Sequence, residues 1–429
     1  MVRLTDAICR ITKLIKGVVH VSERKKMSLI GKITIGFIIG IVLGFIIGPI
    51  APKYTLISAY ILPILDLIGR IFIALLKMLI VPLVFTSIIM GAASVGDPKA
   101  LGRIGVKTII LYLATTCIAI IFGLVLANFI QPGIGLSLEG AAGEAKAATS
   151  MFEVIENIFP ANPLEALVSG KMLQVIVFAL FLGVAASLIG KKGQKFLEVN
   201  ESIAETMYKI TNMVMQVAPL GVFALIATTA AKYGPAVLAP FAKVIFAVYL
   251  GCFLHAIIVY SGMVFLFTKK SPIWFFGGIK ETMLAAYVTR SSSAVLPISL
   301  KNAQENLKIS ERVSSFVLPL GATINMDGTA LYQGVCALFI AQAFGIHLDL
   351  AAQVTIVLTA TLASIGTAGV PGAGLIMLSM VLASVGLPIE GIGLVAGIDP
   401  VLDMARTCIN VTGDISVASV VAKSEGEVL

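Results

Sequence analysis

Five polar side chains near the C-terminus are spaced so that they share one face of a helix. They are Asp399, Asp403, Arg406, Asn410 and Asp414, and successive members lie four, three, four and four residues apart. At about 100° per residue, all five fall within an arc of about 80° on an α-helix. Apolar residues flank this segment on both sides. Charges inside such a segment are costly, and they indicate a path for a substrate or an ion.

Arg406 and Asp403 define what such a path would carry. A guanidinium holds a carboxylate through two parallel hydrogen bonds, whereas a carboxylate such as Asp403 holds an ammonium group. A site with both charges suits an amino acid with an acidic side chain. Asp414 and Asp327 have no evident basic partner in the sequence, and cations would satisfy them. The alternative is an internal salt bridge of Asp403 with Arg406 or Arg290, but a buried pair is a poor stabiliser.

Two further polar segments interrupt apolar sequence. Residues 289–293 read Thr-Arg-Ser-Ser-Ser, and residues 325–329 read Asn-Met-Asp-Gly-Thr. The second segment offers the oxygen ligands that sodium prefers, together with the carbonyls that an unwound helix exposes; a helix N-cap is the alternative for Asp327 alone. Serine nucleophile chemistry is a weaker alternative for the first segment, because it needs a base. No local pattern ties a histidine to these serines; the histidines are His20, His255 and His347.

Residues 366–374 form a third interruption, with four glycines and a proline in nine residues. Bare backbone amides in such a loop are able to close over an anion. The alternative is that these glycines serve helix packing in the membrane.

Composition identifies the environment of these segments. Hydrophobic residues make up 58% of the 429-residue chain and charged residues only 13%, whereas soluble domains carry about 25% charged residues. Continuous apolar runs favour spanning helices over a β-barrel. The net charge of +8 reports orientation rather than nucleic-acid binding, because the basic residues lie in membrane-flanking loops. The five cysteines show no metal-ligand or disulfide spacing.

Apolar runs then predict the spanning helices and their orientation. Basic loops alternate with loops poor in positive charge, which places the N-terminus in the cytoplasm. Residues 1–27 form a basic amphipathic segment that is predicted to lie on the membrane surface, the alternative being translation from Met27. The predicted spans cover residues 28–50, 55–91, 104–131, 172–190, 203–231 and 240–268.

After residue 270 the apolar segments are broken at their centres. Residues 274–304, 313–343 and 350–387 contain the three interruptions described above. Broken backbone at membrane depth survives only where it is buried in protein or lines a cavity. We therefore predict two re-entrant hairpins and one partly unwound span, an arrangement typical of transporter binding sites.

At these motifs the chain resembles the glutamate transporter homologues of the dicarboxylate/amino acid:cation symporter family, in particular the prokaryotic sodium-coupled aspartate transporters. The resemblance covers nearly all of residues 28–429, read as one membrane domain. It implies an all-α polytopic protein with eight transmembrane helices and two re-entrant helical hairpins, assembled as a homotrimer. It also implies a scaffold, mainly within 28–91 and 148–231, and an elevator-type transport part, mainly within 104–131 and 240–424.

The resemblance further implies which residues bind substrate. The two hairpins would bind the main-chain carboxylate, Asp403 the amino group, and Arg406 with Thr329 the side-chain carboxylate. The implied substrate-binding residues are Ser291, Ser292, Thr329, Val370, Gly374, Asp403, Arg406, Thr407 and Asn410.

Three sodium sites are implied in the same way. The first uses Asp414 with carbonyls of Asn325 and Asn410. The second uses carbonyls near Thr323, Ser364, Ile365 and Thr367. The third uses Asp327, Asn325, Tyr112, Thr115 and Thr116.

Three residues depart from the family pattern. Gln333 stands where the animal carriers have a glutamate linked to proton coupling, which favours coupling to sodium alone. Ala405 replaces a glycine beside the arginine. Pro400 is expected to remove a hydrogen bond and kink the last helix.

Together these features predict a secondary active transporter, not an enzyme, in the plasma membrane with both termini cytoplasmic. It would couple the entry of acidic amino acids, L-aspartate favoured over L-glutamate, to sodium ions. Its partners would be lipid, the substrate and copies of itself, with no nucleic acid. One alternative is a proton-coupled carrier. Two others are a dicarboxylate carrier, which would not need Asp403, and a neutral amino-acid exchanger, which would not need Arg406. The last is an anion channel lined by Arg290 and Arg406.

Overall fold

A computed structural model describes residues 29–96, 103–136, 159–365, 369 and 372–428. Within these ranges the chain is helical and contains no strand, which confirms the all-α prediction there. The N-terminal segment 1–27 and the site residues Thr367 and Val370 lie outside the described residues. The count of eight transmembrane helices and the re-entrant character of the hairpins stay predictions.

Sixteen α-helices are labelled here in chain order over the described ranges. Two π-helical turns, Ile57–Ile61 and His255–Tyr260, precede α2 and α8. The α-helices are α1 Leu29–Ile50, α2 Leu62–Gly96, α3 Arg103–Ile130, α4 Pro163–Ser169, α5 Met172–Leu188, α6 Lys191–Tyr233, α7 Leu238–Leu254, α8 Ser261–Thr268, α9 Pro272–Thr289, α10 Ser292–Glu305, α11 Glu311–Ile324, α12 Asp327–Ala343, α13 Leu350–Ser364, α14 Ala373–Ser384, α15 Ile392–Ala396 and α16 Asp399–Ser424.

Four continuous helical segments are long and apolar enough to cross a membrane, judged by length and composition over the described residues. They are Gly31–Lys53, Ile57–Ala93, Arg103–Ile130 and Lys191–Thr268. The last of these covers 78 residues and includes both predicted spans 203–231 and 240–268. A membrane helix needs only about 20 residues, so this segment has the length for more than one crossing.

The helix breaks occur at the polar interruptions. Helix α9 ends at Thr289 and α10 begins at Ser292, with Arg290 between them in the left-handed region at φ 54°. Helix α11 ends at Ile324, and α12 begins at Asp327. The third break separates α13 from α14 at the glycine-rich loop. Adjacent arms α9 and α10 pack against each other, as do α13 and α14.

Packing divides most of these helices into two groups. In the first group, α6 packs along α1 and α2, and α2 also packs on α5. In the second group, α12 packs on α3, while α16 packs on α9, α11 and α12. Helices α14 and α15 contact both groups, chiefly α2 and α6 on the side of the first.

Close backbone contact fixes α1 to α6 inside the first group. Gly36, Gly40, Gly44 and Gly48 follow one another at intervals of four residues on α1. A Cβ atom built on any of them would lie less than 3 Å from a backbone carbonyl oxygen of α6. Small residues at this spacing let two membrane helices approach closely. The interface leaves no room for one helix to slide along the other.

Contacts between the two groups are of a different kind. Gly397, Gly393 and Gly372 in or beside the second group lie against the side chains of Phe37, Leu225 and Met215. These are ends of side chains rather than backbone, and side-chain ends are able to move. An ion pair links the first group to the segment between α14 and α15, with Lys77 Nζ on α2 2.8 Å from Oε1 of Glu390.

The C-terminal end of α16 ties the second group together. Glu425 accepts hydrogen bonds from Arg103 and Lys107 of α3 at 2.7 and 2.8 Å. Those hydrogen bonds hold the pKa of the Glu425 carboxyl at about 2, below its ordinary value. Glu427 accepts from the backbone and hydroxyl of Ser310 at the start of α11. Residues just beyond α16 therefore fix the ends of two other helices.

The glycine contacts generate a stability prediction. In Gly44→Ala, the new Cβ would lie 2.6 Å from the Ala227 carbonyl oxygen and 2.5 Å from Ala230 Cβ. Overpacking of this kind costs about 1–3 kcal/mol, so we expect a lower unfolding midpoint for the detergent-solubilised protein. Gly262→Ala is the matched control, because nothing lies within 4 Å of a Cβ there. Equal midpoints for the two variants would contradict the close-packing interpretation.

Candidate functional site

Helix α16 begins at Asp399, which corrects the expectation that Pro400 lies inside the last helix. Pro400 lies in the first turn, where a backbone N–H has no helical partner in any case. No hydrogen bond is lost and no kink is required. The start of α16 thereby fixes Asp399 as its first residue, one turn before Asp403.

Asp399 is the closest partner of Arg406. Arg406 is fully buried, and its Nη1 donates to Asp399 Oδ1 at 2.7 Å. Its Nη2 lies 2.8 Å from Asp403 Oδ1, and its guanidinium carbon lies 4.0 Å from the centre of the Tyr332 ring. The fourth charge of this cluster is Arg290, whose Nη1 lies 4.0 Å from Asp403 Oδ2. Two buried acids, Asp399 and Asp403, thus face two buried bases, Arg290 and Arg406. Tyr332 also belongs to this cluster, and it was not predicted from the sequence.

A small cavity lies beside this cluster. Asp403 lines it, whereas Arg406 does not, because the guanidinium points to Asp399. Gly374 lies between the cavity and Arg406. It lines the cavity, and a Cβ built on it would lie 2.8 Å from the guanidinium atoms of Arg406. The lining residues are Arg290, Ser292, Met326, Thr329, Gly369, Ala373, Gly374, Asp403, Thr407 and Asn410.

The tips of the two broken segments close one side of the cavity. Ser291 donates from Oγ to the Gly369 carbonyl at 2.7 Å, and the backbone N–H of Ser293 donates to the same oxygen at 3.3 Å. Ser291 also caps α10 by accepting from the Ala294 N–H. The predicted hairpin residues Ser291, Ser292 and Gly374 are therefore brought to one place.

Asn410 joins α16 to the unwound segment before α12. Its Oδ1 accepts from the Gly328 N–H at 2.8 Å, and its Nδ2 donates to Thr329 Oγ1 at 3.2 Å and to Met326 Sδ. Thr407 donates to Asp403 Oδ1 at 3.4 Å. These contacts bring the predicted residues Thr329, Thr407 and Asn410 together around the cavity.

Two other buried carboxylates have no lysine or arginine partner among the described residues. Asp414 is 3% exposed and accepts from Asn325 Nδ2 at 2.9 Å. Asn325 also donates to the Asn410 carbonyl, while its own Oδ1 is buried without a hydrogen-bond partner. An isolated buried charge is very costly. The arrangement therefore suits a cation that oxygen atoms would bind.

The second of these carboxylates, Asp327, lies fully buried at the start of α12. Thr116 of α3 donates to its Oδ1 at 2.5 Å, and Tyr260 donates to its Oδ2 at 2.7 Å. His255 Nε2 lies 3.3 Å from the same Oδ2. Sequence reasoning missed both His255 and Tyr260, because they reach Asp327 from a different part of the chain.

Tyr112 and Thr115 complete this region on α3. Tyr112 donates from its hydroxyl to the Val317 carbonyl, and Thr115 donates to the Tyr112 carbonyl. A Cβ on Gly321 would overlap both the Asp414 carboxylate and the Tyr112 hydroxyl, so a glycine lets these two oxygen atoms approach the α11 backbone closely. Carboxylate, amide, hydroxyl and carbonyl oxygens are the donor set that a hard cation requires.

Three residues of the remaining predicted sodium site, Thr323, Ser364 and Ile365, lie in the described part of the chain. Thr323 donates to the Leu320 carbonyl within its own helix, and Ser364 donates to the Thr361 carbonyl. Ile365 follows α13 in extended conformation. Over the described residues no hydrogen bond links Thr323 to Ser364 or Ile365, so this set stays a prediction.

The buried cluster generates a second stability prediction. Asp399→Asn removes a charge that faces the fully buried Arg406, and breaking a buried ion pair costs about 3–5 kcal/mol. Glu165→Gln is the matched control, because its pair with Lys171 has side chains 60% and 52% exposed and lies outside the apolar spanning segments, and such pairs contribute about 1 kcal/mol or less. Denaturant unfolding in mixed micelles should separate the two variants clearly. Similar losses would show that burial of the Arg406 pair is unimportant.

The chain is similar to characterised transport proteins over most of its length. It is 40% identical over 413 residues to the proton/sodium-glutamate symport protein of Geobacillus stearothermophilus, covering 94% of this chain and 96% of that protein. It is 40% identical over 370 residues to the proton/glutamate-aspartate symporter of Escherichia coli K12, covering 83% and 84%. It is 36% identical over 366 residues to a C4-dicarboxylate transport protein of Yersinia pestis, covering 83% and 85%.

The family described as the sodium:dicarboxylate symporter family matches residues 29–424. This match includes α1 to α16 and therefore every residue of the cavity and of the two carboxylate sites. Members of this family are transporters rather than enzymes. The chain therefore belongs to the sodium:dicarboxylate symporter family and is a multi-pass membrane transporter.

Proposed function

We propose that this protein is a secondary active symporter that couples the entry of acidic amino acids, L-aspartate in preference to L-glutamate, to sodium ions. One observation carries the proposal. A cavity bordered by balanced charges lies beside two buried carboxylates, Asp327 and Asp414, that have no lysine or arginine partner in the described structure. The balanced cluster suits a substrate with charges of both signs, and the unpaired carboxylates suit co-transported cations.

The cavity offers a partner for each end of an acidic amino acid. Asp403 borders it with Oδ2 free of hydrogen bonds, so it is available to an ammonium group. Ser292 and Gly374, which border the cavity, would supply a hydroxyl and a backbone amide for the main-chain carboxylate. A C4-dicarboxylate has no ammonium group, so it would leave Oδ2 of Asp403 without a hydrogen-bond donor.

Arg406 would bind the side-chain carboxylate across Gly374. The guanidinium is held by Asp399, and no side chain at position 374 separates it from the cavity. A substrate carboxylate would replace part of the Asp399 interaction, so that Arg406 remains paired in both states. Thr329 and Asn410 border the same wall, where their hydroxyl and amide groups would orient the substrate.

Sodium would occupy the two oxygen-lined carboxylate regions. Asp414 with the Asn325 and Asn410 carbonyls would form one site, and Asp327 with Tyr112, Thr115 and Thr116 would form another. Gln333 is buried and uncharged, which supports sodium over protons. The relatives are named for protons as well as for sodium, so a proton-coupled carrier is the principal rival.

Coupling to more than one cation follows from energetics. An acidic amino acid carries one net negative charge at neutral pH, and a negative-inside potential opposes its entry. Each elementary charge contributes about 2.3 kcal/mol per 100 mV. With two or more sodium ions per substrate, the transported charge becomes positive and the potential drives uptake.

The packing of the two helix groups supports an elevator mechanism. Glycine-to-backbone contacts hold α1 against α6 within the first group, whereas side-chain ends meet between the groups. The first group would serve as scaffold, and the second, which carries the cavity, would move. Basic residues near the ends of α3 and α8, such as Arg103 and Lys269, support cytoplasmic termini.

A homotrimer is part of the same proposal. The Asp66–Arg70 pair on α2 is exposed in the single chain, although the segment Ile57–Ala93 is strongly apolar. An ion pair facing lipid is costly. Cover by a neighbouring subunit or contact with water would relieve this cost, and α2 belongs to the group proposed as scaffold.

Uptake into proteoliposomes tests substrate and ion together. We expect radiolabelled L-aspartate to accumulate under an inward sodium gradient and to be displaced by L-glutamate, with much weaker competition from succinate and L-alanine. The physical reason is that only acidic amino acids satisfy Asp403 and Arg406 at once. Equal uptake under a proton gradient without sodium would refute the sodium assignment. Succinate competing as well as aspartate would favour the dicarboxylate carrier, and chloride flux without accumulation would favour the channel.

Cross-linking tests the movement of the two groups. Lys77 of the first group contacts Glu390, which lies within 240–424, the part predicted from the sequence to move, so cysteines at both positions should react with a short bifunctional thiol reagent. We expect the cross-linked protein to lose uptake while still binding sodium. Each single-cysteine variant treated with the same reagent is the control. Full uptake after complete cross-linking would show that relative motion at this boundary is not required.

A further inference from the structure

In the π-helical turn His255–Tyr260, the side chains of the first and last residues point in nearly the same direction. In an α-helix, residues five apart point about 140° away from each other. In a π-helix the backbone hydrogen bond joins residues five apart, so their side chains lie nearly one above the other. His255 and Tyr260 stand at this spacing, and both reach the same oxygen of Asp327. Single π-turns are often found at functional sites.

The two oxygens of Asp327 are thereby given different surroundings. Oδ2 faces His255 Nε2 at 3.3 Å and the Tyr260 hydroxyl at 2.7 Å. Among the described residues, the hydrogen bond to Oδ1 comes from the Thr116 hydroxyl of α3, the helix that also carries Tyr112 and Thr115. The π-turn holds one oxygen and leaves the other toward the proposed cation ligands.

Burial of the His255 ring costs free energy that a hydrocarbon side chain at this position would not cost. It is fully buried, it packs edge-on to Phe122 and Tyr260, and its Nδ1 has no hydrogen-bond partner among the described residues. An unsatisfied buried polar atom costs about 1–3 kcal/mol. With Nε2 carrying the proton, the ring donates to Asp327, and a hydrocarbon side chain of similar size would not.

We propose that His255 is a positioning residue for sodium binding: together with Tyr260 it fixes the Asp327 carboxylate so that Oδ1 is presented to the ion. This inference rests on the proposed sodium coupling. The role is one of orientation, since His255 contacts the ligand and not the ion. Outer partners of this kind typically change metal affinity 10–100-fold when they are removed.

Sodium titration of three variants tests the proposal. His255→Met removes the donor at similar size, His255→Gln keeps an N–H donor, and Tyr260→Phe removes the second donor. The readout is the sodium-dependent rise of the unfolding midpoint in detergent without substrate, which gives an apparent sodium Kd. We expect a Kd about 10–100-fold higher for His255→Met and a higher Kd for Tyr260→Phe. His255→Gln should recover most of the wild-type affinity.

Ser261→Ala is the matched control, because Ser261 is buried beside the π-turn and donates to the Ala256 carbonyl rather than to Asp327. It should leave the sodium Kd unchanged. Wild-type sodium affinity in His255→Met, or equal losses in His255→Met and His255→Gln, would overturn the inference. If His255→Met does not fold, His255→Asn takes its place, since its amide is too short to reach Asp327. A wild-type protein without any sodium response would instead refute the proposed function.

Discussion

The burial of Arg406 is the constraint on which the rest of the site depends. A guanidinium inside an apolar helix bundle must be neutralised, and Asp399 and Asp403 on the same helix do this. Their positions require α16 to begin at Asp399 and to remain regular through the next two turns. The ring of Tyr332 covers the remaining face of the guanidinium. Neighbouring helices, the glycine at position 374 and the cavity are all arranged around this one buried charge.

Much of this arrangement could be predicted from the sequence. Residues 289–293 and 325–329 predicted the helix breaks, because polar and glycine-containing segments do not continue an apolar helix. The spacing from Asp403 to Asp414 predicted a shared helix, and these residues are all buried along α16. The family assignment from the four motifs is confirmed by the match over residues 29–424.

Other features depend on tertiary contacts that spacing does not report. Periodicity places Arg406 on a face but does not say that its guanidinium points to Asp399 rather than into the cavity. Pro400 was expected to kink the last helix, because a helix start cannot be read from one proline. The role of His255 could not be predicted from the sequence, because a π-turn forms only where tertiary packing stabilises the changed direction of its side chains. Its contact with Asp327 joins residues 72 positions apart.

The tie formed by Glu425 and Glu427 has a consequence for how the protein is made. The chain is synthesised from its N-terminus. Helices α3 and α11 are therefore made before Glu425 and Glu427, the residues that bind their ends. Arg290 and Asn325 likewise have partners on α16, which is made after them. The ties at the starts of α3 and α11 therefore form only after synthesis has passed residue 427. The buried ion pairs of Arg406 and Arg290 are likewise completed only once α16 has been made, so the site is among the last parts of the fold to be assembled.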